Sequence, residues 1–227
     1  MSDERNHNIL LFTNSELEFN YIQQTLSGVK SLDERRAECY MNSKKFLILR
    51  SDPGIFSASY YLTRELTLKN YELVINAGIC GTYNQKLNIG SAVRVESEFF
   101  ADTGAEDGKT LFDLGLMNKD AFPFQNGKLH DNPGNIKGLD DILPAVKAVT
   151  VNRISQTNMN ISFIMTKYRP DIESMEGAAV FYICANEGLN YIQIRGISNV
   201  VGDRDQDNWE VGKAMKSVGE AIVSIFR

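Results

Sequence analysis

Two stretches of this chain set carboxylates beside small or amide-bearing residues, a pattern that suits proton transfer and the binding of hydroxyl groups. The first is Thr13-Asn14-Ser15-Glu16-Leu17-Glu18, directly after the apolar run Ile9–Phe12. The second is Asp171-Ile172-Glu173-Ser174-Met175-Glu176-Gly177-Ala178-Ala179, followed by Gln193-Ile194-Arg195-Gly196-Ile197-Ser198-Asn199. Glu173 and Glu176 fit the first turn of a helix, where the dipole favours negative charge and Ser174 would serve as cap. The tiny side chains at 177–179 also suit close packing around an inward-facing acid. A third stretch, Asn76-Ala77-Gly78-Ile79-Cys80-Gly81, ends another apolar run. Its glycines make either a tight turn or a place where backbone comes close to a ligand.

Positioning these groups requires strands that end beside one another. Asn8–Phe12, Lys45–Leu49 and Tyr71–Ile75 read as buried strands, and Ser91–Phe100, Val146–Asn152 and Tyr191–Ile197 extend the set. Between them, Glu16–Leu26, Ile55–Leu68, Met175–Glu187 and Trp209–Phe226 carry helical spacing. In the last of these, Val211, Met215, Val218, Ile222 and Ile225 form one apolar stripe. Alternating strands and helices predict an α/β fold with a central mixed sheet, whose ligands sit beyond the carboxyl ends of the strands. The stretch Gly115–Asp140, rich in Gly, Pro, Asn and Asp, reads as a long surface excursion.

Composition narrows the functions. The 227 residues have 43% hydrophobic content, a formal charge of −5 and a pI of about 5.2, so a single domain over 1–227 is expected, with no basic field for nucleic acid. The apolar run in the first thirty residues is too short for a membrane span or signal core, which predicts a cytoplasmic protein with no membrane partner. Cys39, Cys80 and Cys184 have no metal or disulfide spacing and read as reduced, buried thiols. With only His7 and His130, neither a histidine triad nor a multi-histidine metal site is expected.

Taken together, Ala77–Gly81, Ser174–Ala179 and Arg195–Asn199 resemble the nucleoside phosphorylase and nucleosidase superfamily, which includes the methylthioadenosine/S-adenosylhomocysteine nucleosidases. Glu98-Phe99-Phe100-Ala101-Asp102-Thr103-Gly104-Ala105-Glu106-Asp107-Gly108 and Ile197-Ser198-Asn199-Val200-Val201-Gly202-Asp203-Arg204 are similar to its futalosine hydrolase branch, which removes hypoxanthine from futalosine in an alternative menaquinone pathway. The resemblance runs from Ile9 to the last helix and is weakest over Gly115–Asp140. It implies a three-layer α/β/α sandwich with a partly barrel-like mixed sheet. It implies a small nucleoside as substrate, no metal or organic cofactor, and a homodimer or larger assembly whose neighbouring copy closes the 5′ end of the site.

The same resemblance implies roles. Glu176 would bind the ribose hydroxyls with Met175 packed on the sugar, and Gly78 and Ile79 would border the substrate. The base that activates water would be an acid just after the first strand. Counting forward selects Glu18 over Glu16, and a helix separates the two by about 200°, so one alone faces the site. Arg195 would hold the water or pair with Glu176. Asn199 stands where adenine-specific relatives have aspartate, and an amide donating hydrogens fits the N7 and O6 acceptors of a 6-oxopurine. An acidic first loop favours water over phosphate as nucleophile. Gln156, in Val151–Gln156, departs from the branch, where a glycine or small residue is usual. The rival activities are methylthioadenosine/S-adenosylhomocysteine nucleosidase and 6-oxopurine nucleoside phosphorylase.

Overall fold

The computed structural model describes residues 8–203 and 205–227; His7 and Arg204 lie outside them. Strands β1 (Asn8–Thr13), β2 (Lys30–Ser31), β3 (Arg36–Met41), β4 (Lys44–Arg50), β5 (Leu73–Thr82), β6 (Ala92–Phe100), β7 (Leu129–His130), β8 (Ala145–Thr150), β9 (Ile172–Ser174) and β10 (Asn190–Val200) form one mixed sheet. Helices α1 (Glu16–Thr25), α2 (Ile55–Leu68), α3 (Leu139–Ile142), α4 (Asn158–Lys167), α5 (Gly177–Asn186) and α6 (Val211–Ile225) surround it.

The order is β10-β6-β8-β9-β5-β1-β4-β3-β2, and β10 pairs a second time with β5. That extra pairing closes β10, β6, β8, β9 and β5 into a barrel, from which β1, β4, β3 and β2 continue as an open wing. The barrel-like α/β architecture expected from the sequence is therefore present.

Period-two alternation explains why the central strands are apolar throughout. In β1, Leu10 and Phe12 join the cluster that holds Ala58 and Leu62 of α2 and Phe181 of α5. Ile9 and Leu11 join the opposite one, with Phe19 and Ile22 of α1 and Met215, Val218 and Ile222 of α6. Both faces are covered, so neither can be polar. The stripe on α6 packs as its spacing demands, with Met215, Val218 and Ile222 fully buried. Each such side chain contributes roughly 1.5–3 kcal/mol through removal from water. Among the described residues no helix is long and apolar enough to cross a membrane.

Three local expectations are corrected. The third strand does not stop at Ile75 but continues to Thr82, because pairing with β10 carries it onward. Gly78 and Gly81 therefore lie inside a strand rather than in a turn. Residues 172–174 form β9 instead of a helix start, and the N-cap of α5 is Glu176, not Ser174. Finally, the excursion at 115–140 is mostly turns, yet it buries Phe124 and Leu129, so it is not wholly superficial. All three cysteines are buried and unpaired.

Candidate active site

The switch from β1 to α1 places the first acid. Ser15 caps the helix, its Oγ accepting from the Glu18 backbone N–H at 3.2 Å. This is the capping-box spacing, but Glu18 does not reach back to the cap. Its Oε2 accepts from Asn14 N and its Oε1 from Ile79 N, both at 2.9 Å. Glu18 is thus held between the first helix and β5, buried, with a second lone pair on each oxygen free to face the cavity. Glu16 points away, its side chain exposed and ion-paired with Arg50 at 3.6 Å.

The second acid belongs to the β9–α5 junction. Glu176 Oε1 accepts from the backbone N–H of Gly54, at the start of α2, at 2.8 Å. Burial pushes its carboxyl up to about 7, against the pull of Arg195, while the nearby Glu18 pushes the same way as burial. Arg195, on β10, is completely buried. It donates to Asn76 Oδ1 at 2.5 Å and lies 3.9 Å from Glu176 Oε2. Arg195 stands behind the cavity wall, so of its two expected roles the geometry matches pairing with Glu176. Gly78 also lies behind the wall: a Cβ there would collide with both the Arg195 guanidinium and the Glu18 carboxylate.

These groups meet at a cavity of about 270 Å³, lined among others by Glu18, Ile79, Met175, Glu176 and Asn199. Asn199 Nδ2 donates to Val200 O at 3.0 Å, and its Oδ1 is 2.7 Å from Ser198 Oγ. One amide hydrogen is consequently taken by the neighbouring carbonyl, leaving a single hydrogen for a ligand where the sequence reading supplied two. In the segment 151–156, Val151 and Ile154 line the cavity and Gln156 does not.

Several further residues line the cavity, Glu173 and Ser174 in place of the helix-start roles their sequence suggests. Glu173 accepts from Ser155 N at 2.9 Å and from the Tyr83 hydroxyl. Ser174 Oγ and Trp209 Nε1 are buried polar atoms at the cavity with no hydrogen-bond partner among the described residues. Trp209, the one tryptophan of the chain, stands at the edge of a helical pattern whose spacing gives no sign that it lines a cavity. Pro53-Gly54, a turn dipeptide before a helical pattern, is the visible signal for this wall, Pro53 lining the cavity and Gly54 N donating to Glu176.

The fold has close counterparts among solved structures. A putative 5′-methylthioadenosine/S-adenosylhomocysteine nucleosidase from Francisella philomiragia superposes with a TM-score of 0.81 at 16% identity, covering 96% of this chain and 98% of that one. The futalosine hydrolase of Helicobacter pylori superposes with a TM-score of 0.79 at 13% identity, covering 97% of each. This chain has the nucleosidase fold. No protein-family profile matches it. The resemblance to futalosine hydrolases is borne out by curated relatives, among them that of Thermus thermophilus, 26% identical over 179 residues spanning 78% of this chain and 79% of the relative. Two further futalosine hydrolases match at 27% and 28% identity.

Proposed function

We propose that this nucleosidase-fold enzyme hydrolyses the N-glycosidic bond of futalosine, releasing hypoxanthine and dehypoxanthinyl futalosine on the way to menaquinone. The observation that carries the assignment of residues is that Glu18 and Glu176, set by separate elements, face one cavity together with the Asn199 amide.

Cleaving an N-glycosidic bond builds positive charge on the ribose, as glycoside hydrolysis does. Ionised Glu176 accepts hydrogen bonds from the ribose hydroxyls and steadies that charge, and Met175 packs on the sugar. Gly54 N and Arg195 keep its carboxylate oriented. Glu18 takes a proton from the attacking water, whose oxygen bonds to the anomeric carbon as the bond to the purine breaks. Asn199 Nδ2 donates to N7 of the departing base without surrendering its proton, so the purine is protonated by solvent. Three acids line the cavity, Glu18, Glu173 and Glu176, and among the described lining residues there is no lysine or arginine, a field that repels phosphate and favours water.

A homodimer belongs to the proposal. Phe56 and Tyr60 of α2 are 90% and 56% exposed, and α2 starts two residues after Pro53 of the cavity wall, so a second copy seated there would cover both. The reading places the enzyme in the cytoplasm, where its substrate is consumed.

A second reading, methylthioadenosine/S-adenosylhomocysteine nucleosidase, is favoured by one feature. Pro53, Ile154, Val201 and Trp209 give the cavity an apolar side suited to an uncharged 5′ group. Hypoxanthine or adenine release from futalosine, inosine and methylthioadenosine, with and without phosphate, separates the readings. Phosphate-independent release fastest from futalosine is expected; preference for methylthioadenosine overturns the substrate, and a phosphate requirement overturns hydrolysis.

A further inference from the structure

Directly beneath the start of α5, on the side away from the cavity, lies a carboxylate that the proposed reaction does not use. Glu98 of β6 is wholly buried. Its Oε1 accepts from Thr150 Oγ1 and its Oε2 from Gln193 Nε2, each at 3.0 Å. Thr150 Oγ1 in turn accepts from the backbone N–H of Ala178 at 2.8 Å, two residues beyond Glu176. The hydrogen bonds therefore run in one direction, from the first turn of α5 through Thr150 to Glu98, and each polarises the next. At Gly177, between Glu176 and Ala178, a Cβ would strike both Glu98 Oε2 and the Gln193 amide, so the carboxylate touches the peptide backbone next to Glu176.

The charges around Glu98 are few and specific. From β10 it is faced by Gln193 and, two residues on, by Arg195; from the N-cap of α5 by Glu176; from β5 by Cys80; and from β8 by Thr150. On β7 its paired residue is Leu129, and the adjacent His130 is exposed. Among these described groups Arg195 alone is cationic, and it is shared with Glu176 and lies beside Glu18 at Gly78. One guanidinium cannot neutralise three buried carboxylates, and a buried charge without a partner is costly enough that the group takes up a proton instead.

We propose that Glu98 is a positioning residue for Glu176, bracing the helix start that carries it through Thr150 and Gly177 and sharing one proton with it at neutral pH. Burial pushes both carboxyls up to about 7, the charge of Glu176 makes Glu98 harder still to ionise, and Glu18 pushes Glu176 the same way, so the two titrate as members of an interacting cluster. Substrate binding needs Glu176 ionised, and the pair meets that need when the shared proton rests on Glu98. The inference builds on the reading of Glu176 as the ribose acceptor.

The test compares Glu98→Gln with wild type in the pH profile of kcat/KM for nucleoside hydrolysis. The glutamine keeps the shape of the brace but carries no charge, so Glu176 ionises without the Glu98 charge behind it, Glu18 remaining in place. The acid limb should move to lower pH, by about half a unit or more, and narrow to a single ionisation. An unmoved limb, even with a lowered Tm, makes Glu98 structural only and overturns the proposal. Carboxyl carbon NMR of wild-type protein labelled at glutamate, titrated across neutral pH, is independent of both folding of the variant and activity. Two coupled glutamate carboxyls titrating near neutrality are expected; their absence overturns the pairing. If neither futalosine nor methylthioadenosine is hydrolysed, the functional reading fails while the NMR titration still decides the coupling.

Discussion

Glu18 Oε1 accepts the backbone N–H of Ile79 at 2.9 Å, which ties the acid on the first helix to the strand that forms the cavity floor. The contact is possible only because the preceding residue is Gly78, whose missing side chain leaves room for the carboxylate and for the Arg195 guanidinium. The acid and the arginine are thus set by the same gap in the strand.

Glu18→Gln is expected to lower kcat by about two to four powers of ten while nucleoside affinity is largely kept, because the amide preserves the shape but cannot take a proton from water. Glu16→Gln should leave the rate nearly unchanged, since Glu16 is exposed and paired with Arg50. Steady-state rates of both variants decide; a crippled Glu16→Gln beside an active Glu18→Gln would transfer the base role to Glu16.

Gly78→Ala tests the shared gap. The added methyl must displace Glu18, Arg195 or both, and a shift of about 1 Å in a reacting group can cost on the order of 100-fold in rate. Overpacking at a buried site should also cost roughly 1–3 kcal/mol of stability. A variant with full activity, assayed well below its Tm, would show that the positions of Glu18 and Arg195 do not matter to turnover.

The central strands and the long helices were legible because burial on both faces leaves a continuous apolar run and burial on one face leaves a 3.6-residue stripe. The wing strand β3, with the sequence RAECYM, was not: only Ala37 and Cys39 face inward, and its charged partners hide the alternation. Strand β9 was missed for another reason. Three residues are too few for a period, and Glu173 and Ser174 are favoured by helix starts, so local preference pointed to a cap where pairing with β5 and β8 makes a strand. At the site, Glu18, Glu176 and Asn199 were reachable from motifs. Gly54 was not, and Asn76 and Glu98 stood inside motifs that gave them no role, since what makes each matter is a hydrogen bond to a residue 60 or more positions away, Glu98 meeting Gln193 across 95.

Stability should carry the mark of the buried carboxyl as well. The Glu98 carboxyl is raised from an ordinary 4.5 to about 7 by burial, so between those values the folded chain holds a proton that the unfolded chain has released. Stability from this group is present below pH 4.5 and lost as pH rises through about 7, at up to about 1.4 kcal/mol per pH unit. Glu98→Gln removes that loss, so its Tm should gain on wild type as pH rises from about 5 to about 8. Parallel thermal melts across that range check it; a constant Tm difference would mean that Glu98 does not change charge on folding.

In the proposed reaction Asn199 is the residue that reads the departing purine. Its Nδ2 gives one hydrogen to Val200 O, and Ser198 Oγ sits against its Oδ1, so the side chain is fixed with one hydrogen left over. That hydrogen can serve N7 of hypoxanthine. Asn199→Asp would turn the donor into an acceptor set against the Val200 carbonyl and against N7, so futalosine hydrolysis should fall, by as much as about 10⁴-fold if the unpaired atoms stay buried. Repulsion from that carbonyl also favours a protonated aspartic acid, whose hydroxyl can donate to N7 while the other oxygen accepts from the exocyclic amine of adenine. The variant should therefore lose less on methylthioadenosine than on futalosine, and most visibly at lower pH, where the acid is protonated. The deciding measurement is the ratio of kcat/KM for futalosine over methylthioadenosine in wild type and variant at several pH values. A ratio that the substitution leaves unchanged would show that Asn199 does not read the base, and selection between the two purines would then have to come from the wall formed by Val151 and Ile154.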